Sequence, residues 1–136
     1  MKPNLPGDIL AFVPGIKDFQ TLSKLVEKTL QRHQIEEPLE IKFIHSRFSE
    51  ELKQSVMQAT QQRQLIISTT ICETSLTLPN LSYVVDSCLA RNKIGADLVT
   101  TPCSYEAVLQ RLGRVGRCAP GVYIPCIQAE LLEKLP

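Results

Sequence analysis

The amino-acid sequence predicts an α/β domain whose core is a mainly parallel β-sheet flanked by α-helices. Short apolar runs alternate with amphipathic stretches of helical spacing, and the connections between them are short. The strand-like runs are apolar on both faces, which is typical of a parallel sheet that is covered by helices on both sides. The chain has 136 residues, enough for a substantial core, and we predict a single domain over residues 1–136.

The first half of the chain predicts two strands and two helices. The apolar run DILAFV ends at Pro14-Gly15, which suits a buried strand followed by a turn. Apolar residues between Phe19 and Leu30 recur at helical spacing, and Ser49 is a suitable N-cap for a second helix. The predicted elements are a strand at 8–13, a helix at about 17–32, a strand at 39–44 and a helix at about 49–61.

The second half predicts four strands and two short helices. The stretch IGADLVTT suggests half of a hairpin that turns at Gly95, and Ser104 is placed to cap the helix that follows. The predicted elements are strands at 65–68, 83–85, 94–101 and 121–124, with helices at about 105–114 and 131–135. Functional residues of parallel α/β sheets gather beyond the carboxyl ends of the strands, where this chain has three polar stretches. These stretches are Pro14-Gly15, 69–77 and 110–117.

Composition and cysteine usage indicate an intracellular protein. The formal net charge is +1, so any nucleic-acid site must be local rather than a field of the whole surface. The five cysteines are widely spaced without a CxxC pair, which favours reduced thiols over disulfides or zinc. No apolar run approaches the roughly 18 residues of a membrane span, and the N-terminus lacks a signal-peptide core. We expect a cytoplasmic or nuclear location and no membrane partner.

Two stretches could bind phosphate. STTICETSLT, residues 68–77, directly follows a predicted strand and offers hydroxyls and amides, although a Ser/Thr-rich loop with a helix cap has the same composition. QRLGRVGR, residues 110–117, places arginines three residues apart, on roughly one side of a helix. Guanidinium groups bind phosphate oxygens bidentately, and Gly113 and Gly116 would let an anion or a backbone approach. The alternative is a basic helix end with glycines that serve packing.

Several elements of a complete nucleotide site are missing from the sequence. It contains no GxxxxGK[ST] loop for the phosphates of a nucleotide and no DExH or DExD stretch for magnesium. His33 and His45 have no metal-like or triad-like neighbours in sequence, so we predict no metal centre. Phosphate-binding arginines without a nucleotide-binding loop indicate half of a site.

The segment from LIIS through TTICETSLTLPNLSYVVDS to QRLGRVGR resembles motifs V and VI of superfamily 2 helicases of the DEAH/DExH type. ILAFVPG, residues 9–15, resembles motif IV, and FIHSRFSEELKQ resembles the strand and helix after it. The resemblance covers nearly the whole chain and implies the second RecA-like domain of an ATP-dependent RNA helicase.

In that family ATP lies between two RecA-like domains, so the resemblance implies that ATP and Mg²⁺ are bound mainly by a first domain absent here. Arg114 and Arg117 would be arginine fingers, and Gln110 would face the γ-phosphate and the attacking water. Arg111 would tether the motif to its own domain or to the opposing one. The residues implied to lie near the nucleotide are Ser75, Thr77, Arg111 and Gly113.

The resemblance also implies partners. Thr69 matches a threonine that contacts backbone phosphate, and Thr70, Pro14 and Gly15 fall beside it in the same RNA-binding motifs. We expect sequence-independent binding of the RNA backbone, contact with the first RecA-like domain, and possible protein partners. The alternative from another functional class is a helicase-like domain that has lost turnover and serves as a docking module for protein or RNA.

The chain departs from the family at a few positions. Thr70 stands where the family usually has Asn, Cys72 where it often has Ala, and Cys88 where Gly is common. The segment between Asp86 and Gln110 is shorter than in typical DEAH proteins, so the strand-separating β-hairpin is expected to be reduced or absent. We also expect the chain to be a domain excised from a longer protein.

Overall fold

The computed structural model describes residues 5–44, 54, 62–69, 78, 80–115 and 120–136. The predicted helix over 49–61 lies outside them, apart from Gln54, whose backbone is helical. The described helices and strands are β1 Asp8–Phe12, α1 Lys17–Arg32, β2 Leu39–Ile44, β3 Arg63–Ser68, β4 Leu81–Asp86, β5 Leu89–Ile94, β6 Asp97–Pro102, α2 Tyr105–Leu112, β7 Val122–Pro125 and α3 Ala129–Leu132.

The five-stranded sheet has the order β2-β3-β1-β4-β7, and every neighbouring pair in it is parallel. The predicted fold class is therefore confirmed. The register brings the carboxyl ends of the central strands level, because Phe12 pairs with both Ser68 and Asp86. From β1 the chain passes to β2 on one side, and from β4 it passes to β7 on the other. The crevice beyond β1 and β4 is thus a topological switch point, where α/β sheets bind ligands.

Both faces of the sheet are covered. On one face Phe19 of α1 packs on the strands, and its ring stacks on Phe43 with centroids 5.1 Å apart. The buried residues of this face are Ala11, Val13, Phe19, Leu65 and Ile67. Val115 and Tyr123 pack against the opposite face, whose buried residues are Leu10, Phe12, Ile44, Ile66, Leu81 and Val84. The segment after α2 is therefore anchored to the sheet by apolar contact.

An antiparallel hairpin of two six-residue strands, β5 and β6, follows β4 in the chain and precedes α2. It turns at Gly95, as predicted, where a φ of +63° suits glycine. At its base the amide of Cys103 donates to the carbonyl oxygen of Cys88 at 2.9 Å. The expected absence of this hairpin is wrong, whereas its expected reduction relative to typical DEAH proteins stays a prediction. Its first strand, LARNKI, was missed because both of its faces carry polar or exposed residues.

Gly7 allows the chain before β1 to approach β4. Its amide donates to Oγ of Ser82 at 3.0 Å. A Cβ at this position would lie 2.2 Å from Ser82 Oγ and 2.4 Å from the Asn80 carbonyl oxygen. The hydroxyl could rotate away, but the carbonyl belongs to the backbone and cannot move alone.

We expect Gly7→Ala to lower the free energy of unfolding by about 1–3 kcal/mol, the usual effect of overpacking. Urea denaturation measures it. The matched control is Gly95→Asn, because asparagine tolerates a left-handed backbone and nothing lies within 4 Å of a Cβ there. Equal unfolding free energies for Gly7→Ala and the wild type would contradict the close approach.

Candidate functional site

A buried ion pair joins the end of β4 to α2. Nη1 of Arg111 lies 2.6 Å from Oδ1 of Asp86, and both side chains are 0% exposed. Asp86 is the last residue of β4 and shares a face of the strand with Val84, two residues earlier. Arg111 follows Val108 by three residues on the buried side of α2, so helical periodicity carries it toward the same face of the sheet.

The carboxylate of Asp86 accepts hydrogen bonds from three groups in the described part of the chain. Besides Arg111, the amide of Cys88 donates to Oδ1 at 2.8 Å, and the hydroxyl of Tyr123 donates to Oδ2 at 2.6 Å. A buried charge is tolerated only when it is paired and hydrogen-bonded in this way. Asp86 thus connects β4, α2 and β7.

Among the described residues, the guanidinium of Arg111 also contacts Leu89 and Phe12. Its Nη2 donates to the carbonyl oxygen of Leu89 at 3.3 Å, and its central carbon lies 5.1 Å from the centre of the Phe12 ring. The ring contributes a cation–π contact that is strengthened by desolvation. Arg111 therefore binds the start of the hairpin and the end of β1 as well as β4.

Ionisation of the neighbouring groups is suppressed. Burial raises the pKa of the Tyr123 hydroxyl, and its hydrogen bond to Asp86 raises it further. Burial, with the Asp86 charge, raises the pKa of the Cys88 thiol to about 11, and the same two causes raise the pKa of Cys126. Tyr123 consequently remains a hydrogen-bond donor at neutral pH. Cys88 remains a thiol, which makes it a poor nucleophile.

That Arg111 lies near the nucleotide stays a prediction, and the described residues give its side chain a structural role. Its side chain is completely buried, and its guanidinium is committed to Asp86, Leu89 and Phe12. The interpretation of Arg111 as a tether to its own domain agrees with these contacts. Burial was not foreseen because an arginine is rarely buried without a partner, and the partner lies 25 residues upstream.

The predicted common side of the three arginines stays a prediction, because Arg117 lies outside the described residues. Helix α2 ends at Leu112 rather than near 114, and the chain tightens into i to i−3 hydrogen bonds at Arg114 and Val115. Gln110 is exposed on α2, and Arg114 is partly exposed in the turn, whereas Arg111 faces the core. Gly113 has an ordinary right-handed φ of −66°, so its backbone does not require glycine. Gly116 and Arg117 lie outside the described residues.

Three predicted RNA-binding residues lie together. Pro14 and Gly15 follow β1, Thr69 follows β3, and all three line one cleft of about 350 Å³. Their proximity follows from the sheet order, since β1 and β3 are neighbours whose carboxyl ends are level. The remaining lining residues are Ile16, Lys17, Arg91 and Leu98. Thr70, Ser75 and Thr77 lie outside the described residues.

Gly15 faces Arg91, a residue of the hairpin that the sequence analysis missed. A Cβ on Gly15 would lie 2.5 Å from Nη1 of Arg91 and 3.2 Å from its Cδ. The amide of Gly15 donates to Oδ2 of Asp18 at 3.1 Å, which closes the start of α1. The group that closely approaches Gly15 is therefore the guanidinium of Arg91. No motif marks Arg91, because only the fold of the hairpin brings it to the cleft.

Sheet order, register and level strand ends define a RecA-like domain. Two crystal structures from Escherichia coli share the fold: the DExH-box NTPase HrpB, with a TM-score of 0.82, and the DEAH/RHA helicase HrpB, with a TM-score of 0.83. Each is 26% identical to the chain in sequence, and the matches cover 96% of this chain but 16% and 17% of theirs.

Residues 2–119 match the family described as the helicase conserved C-terminal domain, and the chain belongs to this family, as a domain of the superfamily 2 DEAH type. It is 32% identical to the pre-mRNA-splicing factor ATP-dependent RNA helicase DEAH10 of Arabidopsis thaliana, a match that covers 96% of this chain and 19% of that protein. It is 33% identical to the pre-mRNA-splicing factor ATP-dependent RNA helicase prp22 of Schizosaccharomyces pombe. That match covers 85% of this chain and 11% of that protein.

The chain thus spans less than a fifth of the length of either relative. In the parts of the chain that the structure describes, no helix is long and apolar enough to cross a membrane.

Removing the Tyr123 hydroxyl tests its contribution to the Asp86 network. We expect Tyr123→Phe to lower the free energy of unfolding by about 1.5–3 kcal/mol, because it deletes a hydrogen bond to a charged group. Urea denaturation at neutral pH measures the loss. Tyr105→Phe removes a hydroxyl from a residue that is 47% exposed and is the matched control. Equal stability of the two variants would refute the contribution of Tyr123.

Proposed function

We propose that this chain is the second RecA-like domain of an ATP-dependent RNA helicase and supplies Arg114 and Arg117 to an ATP site shared with a first RecA-like domain. The buried Asp86–Arg111 pair is the observation that carries the proposal. It fixes the end of α2 to the sheet through one arginine and leaves Gln110 and Arg114 outside the buried pair. The relatives DEAH10 and prp22 bear the name ATP-dependent RNA helicase, which supports the assignment.

The chemistry of ATP hydrolysis explains the residue types. Transfer of the γ-phosphoryl group to water spreads negative charge over its equatorial oxygens, and a guanidinium placed beside them stabilises the transition state. Arg114 and Arg117 supply that charge without losing a proton, and Gln110 orients the attacking water. The phosphate-binding loop and the ligands of Mg²⁺ belong to the first domain in this proposal, since this sequence contains neither motif.

RNA binding is proposed for the cleft that contains Pro14, Gly15 and Thr69, together with Thr70. A cleft with hydroxyl and cationic groups suits backbone phosphates, which carry no sequence information. Binding is therefore expected to be sequence-independent and sensitive to salt. The hairpin offers an element for strand separation, with Ile94 and Leu98 exposed near its turn.

We further propose a cytoplasmic or nuclear location. The reduced cysteines expected from the sequence favour an intracellular compartment. The relatives DEAH10 and prp22 are named splicing factors, which favours the nucleus and protein partners, whereas the structurally similar HrpB comes from a bacterium.

The test is RNA-stimulated ATP hydrolysis by the protein that joins this chain to its first RecA-like domain, called here the two-domain protein. We expect Arg117→Ala to lower kcat by about 10³-fold or more, the effect of losing an arginine finger, while the Kd for ATP stays within a few-fold of the wild type. Arg114→Ala is expected to act in the same direction.

Arg32→Ala is the matched control, because Arg32 is an exposed arginine at the end of α1. Normal turnover by Arg117→Ala would refute the finger assignment. A wild-type protein that binds RNA but does not hydrolyse ATP would instead support the docking-module alternative.

A further inference from the structure

We propose that one face of α1 binds the phosphates of RNA where the strand leaves the cleft beyond β1 and β3. This lysine face consists of Lys17, Thr21, Lys24 and Lys28. The inference rests on the proposed RNA-binding function of the cleft and extends the binding surface along a helix that no predicted site includes. The partner is single-stranded RNA, bound through its backbone and without regard to sequence.

The four residues of the lysine face lie along one line of the helix. Their positions in the sequence, 17, 21, 24 and 28, return to the same side of an α-helix at about 100° per residue. All four are exposed. The apolar residues Phe19, Leu22 and Val26 pack on the sheet from the opposite side of α1. The lysine face therefore points away from the sheet over a length of about 16 Å, at 1.5 Å per residue.

The lysine face begins at the cleft. Lys17 is the first residue of α1, and it lines the cleft together with Pro14, Gly15 and Thr69. The helix dipole disfavours a cation at this position, because the N-terminus is its positive end. A bound phosphate would interact favourably with both the ammonium group and the helix end. Lys17 thus connects the RNA proposed for the cleft with the exposed length of α1.

The positive charges of the lysine face lack acidic partners. Among the described residues, no ion pair involves Lys17, Lys24 or Lys28. Lys24 and Lys28 are four residues apart, a spacing at which like charges destabilise a helix. The acidic residues of α1, Asp18 and Glu27, fall on the flanks of this face. An anionic ligand would relieve the repulsion between the lysines.

The chemistry of the lysine face suits a phosphodiester backbone. Lysine binds phosphate as a compact point charge on a flexible stem, so it requires no fixed geometry and reads no base. Thr21 adds a hydroxyl between the first two lysines. The length of about 16 Å corresponds to about five nucleotides at 3.4 Å each. Each neutralised phosphate releases counterions, so binding by this face has a defined dependence on salt.

The test measures RNA binding by the two-domain protein with two labelled oligouridylates. The shorter probe is the shortest that the wild type binds, and the longer probe has about five more nucleotides, the length of the lysine face. Fluorescence anisotropy over a series of KCl concentrations gives Kd and the slope of log K against log[KCl].

We expect the Lys24→Gln/Lys28→Gln double variant to bind the longer probe about threefold to tenfold more weakly, the effect of losing two exposed ion pairs. The slope for this probe is expected to decrease in magnitude by about 1.4, the value for two lost contacts to single-stranded nucleic acid. Binding of the shorter probe is expected to match the wild type, because that probe occupies the cleft.

The matched control is the Lys24→Arg/Lys28→Arg double variant, which keeps both charges and is expected to keep the wild-type slope. Lys134→Gln removes the charge of an exposed lysine outside α1 and is expected to bind both probes as the wild type does. Lysine and glutamine are similarly good helix formers, so the glutamine variant is expected to keep the fold, which circular dichroism checks.

Wild-type binding of the longer probe by the glutamine variant would refute the role of the lysine face and leave the RNA-binding function of the cleft standing. Equal weakening of both probes would also contradict the inference, because the effect would not depend on RNA beyond the cleft. If the wild type binds no oligouridylate of any length, the proposed RNA-binding function falls, and this inference falls with it.

Discussion

The ion pair between Asp86 and Arg111 is the interaction on which the rest of this structure depends. Two charges without solvent access are stable only because each is hydrogen-bonded on several sides, so their positions are fixed by the whole network. The network ties the end of β4 to α2, to β7 through Tyr123, to the hairpin through Leu89 and to β1 through Phe12. Removing either partner would leave an uncompensated buried charge, which typically costs about 3–5 kcal/mol. The same contacts therefore stabilise the fold and position the end of α2.

The carboxyl edge of the sheet has two polar regions that share this framework. The cleft with Gly15 and Thr69 lies beyond β1 and β3. The other region is at the end of β4, where Asp86 holds Arg111 of α2. The hairpin lies between them in the chain, because it begins three residues after Asp86 and ends just before α2. Leu89 accepts from Arg111 and Arg91 lies two residues further along the same strand. A single short strand therefore carries contacts to both regions, which gives the proposed RNA and ATP functions a shared structural element.

The sequence predicts the parallel sheet well and the site only in part. Strands that are apolar on both faces can be recognised locally, and so can α1, whose apolar residues keep helical spacing. The polar strand β5 has no such pattern and is stabilised by pairing with β6. The burial of Arg111 depends on a partner far away in sequence, and the position of Arg91 depends on the fold of the hairpin. Cys88, the position at which the family resemblance predicts Gly, adopts a left-handed φ of +60°, a conformation that favours glycine.

The most direct measurement is a double-mutant cycle on Asp86 and Arg111, with free energies of unfolding from urea denaturation of Asp86→Asn, Arg111→Met and the double variant. If the pair organises the domain, each single variant loses several kcal/mol, and the double variant loses at least about 1 kcal/mol less than the sum of the two losses. Additivity within about 0.5 kcal/mol would show that the two residues act independently, and it would contradict the central role of the pair.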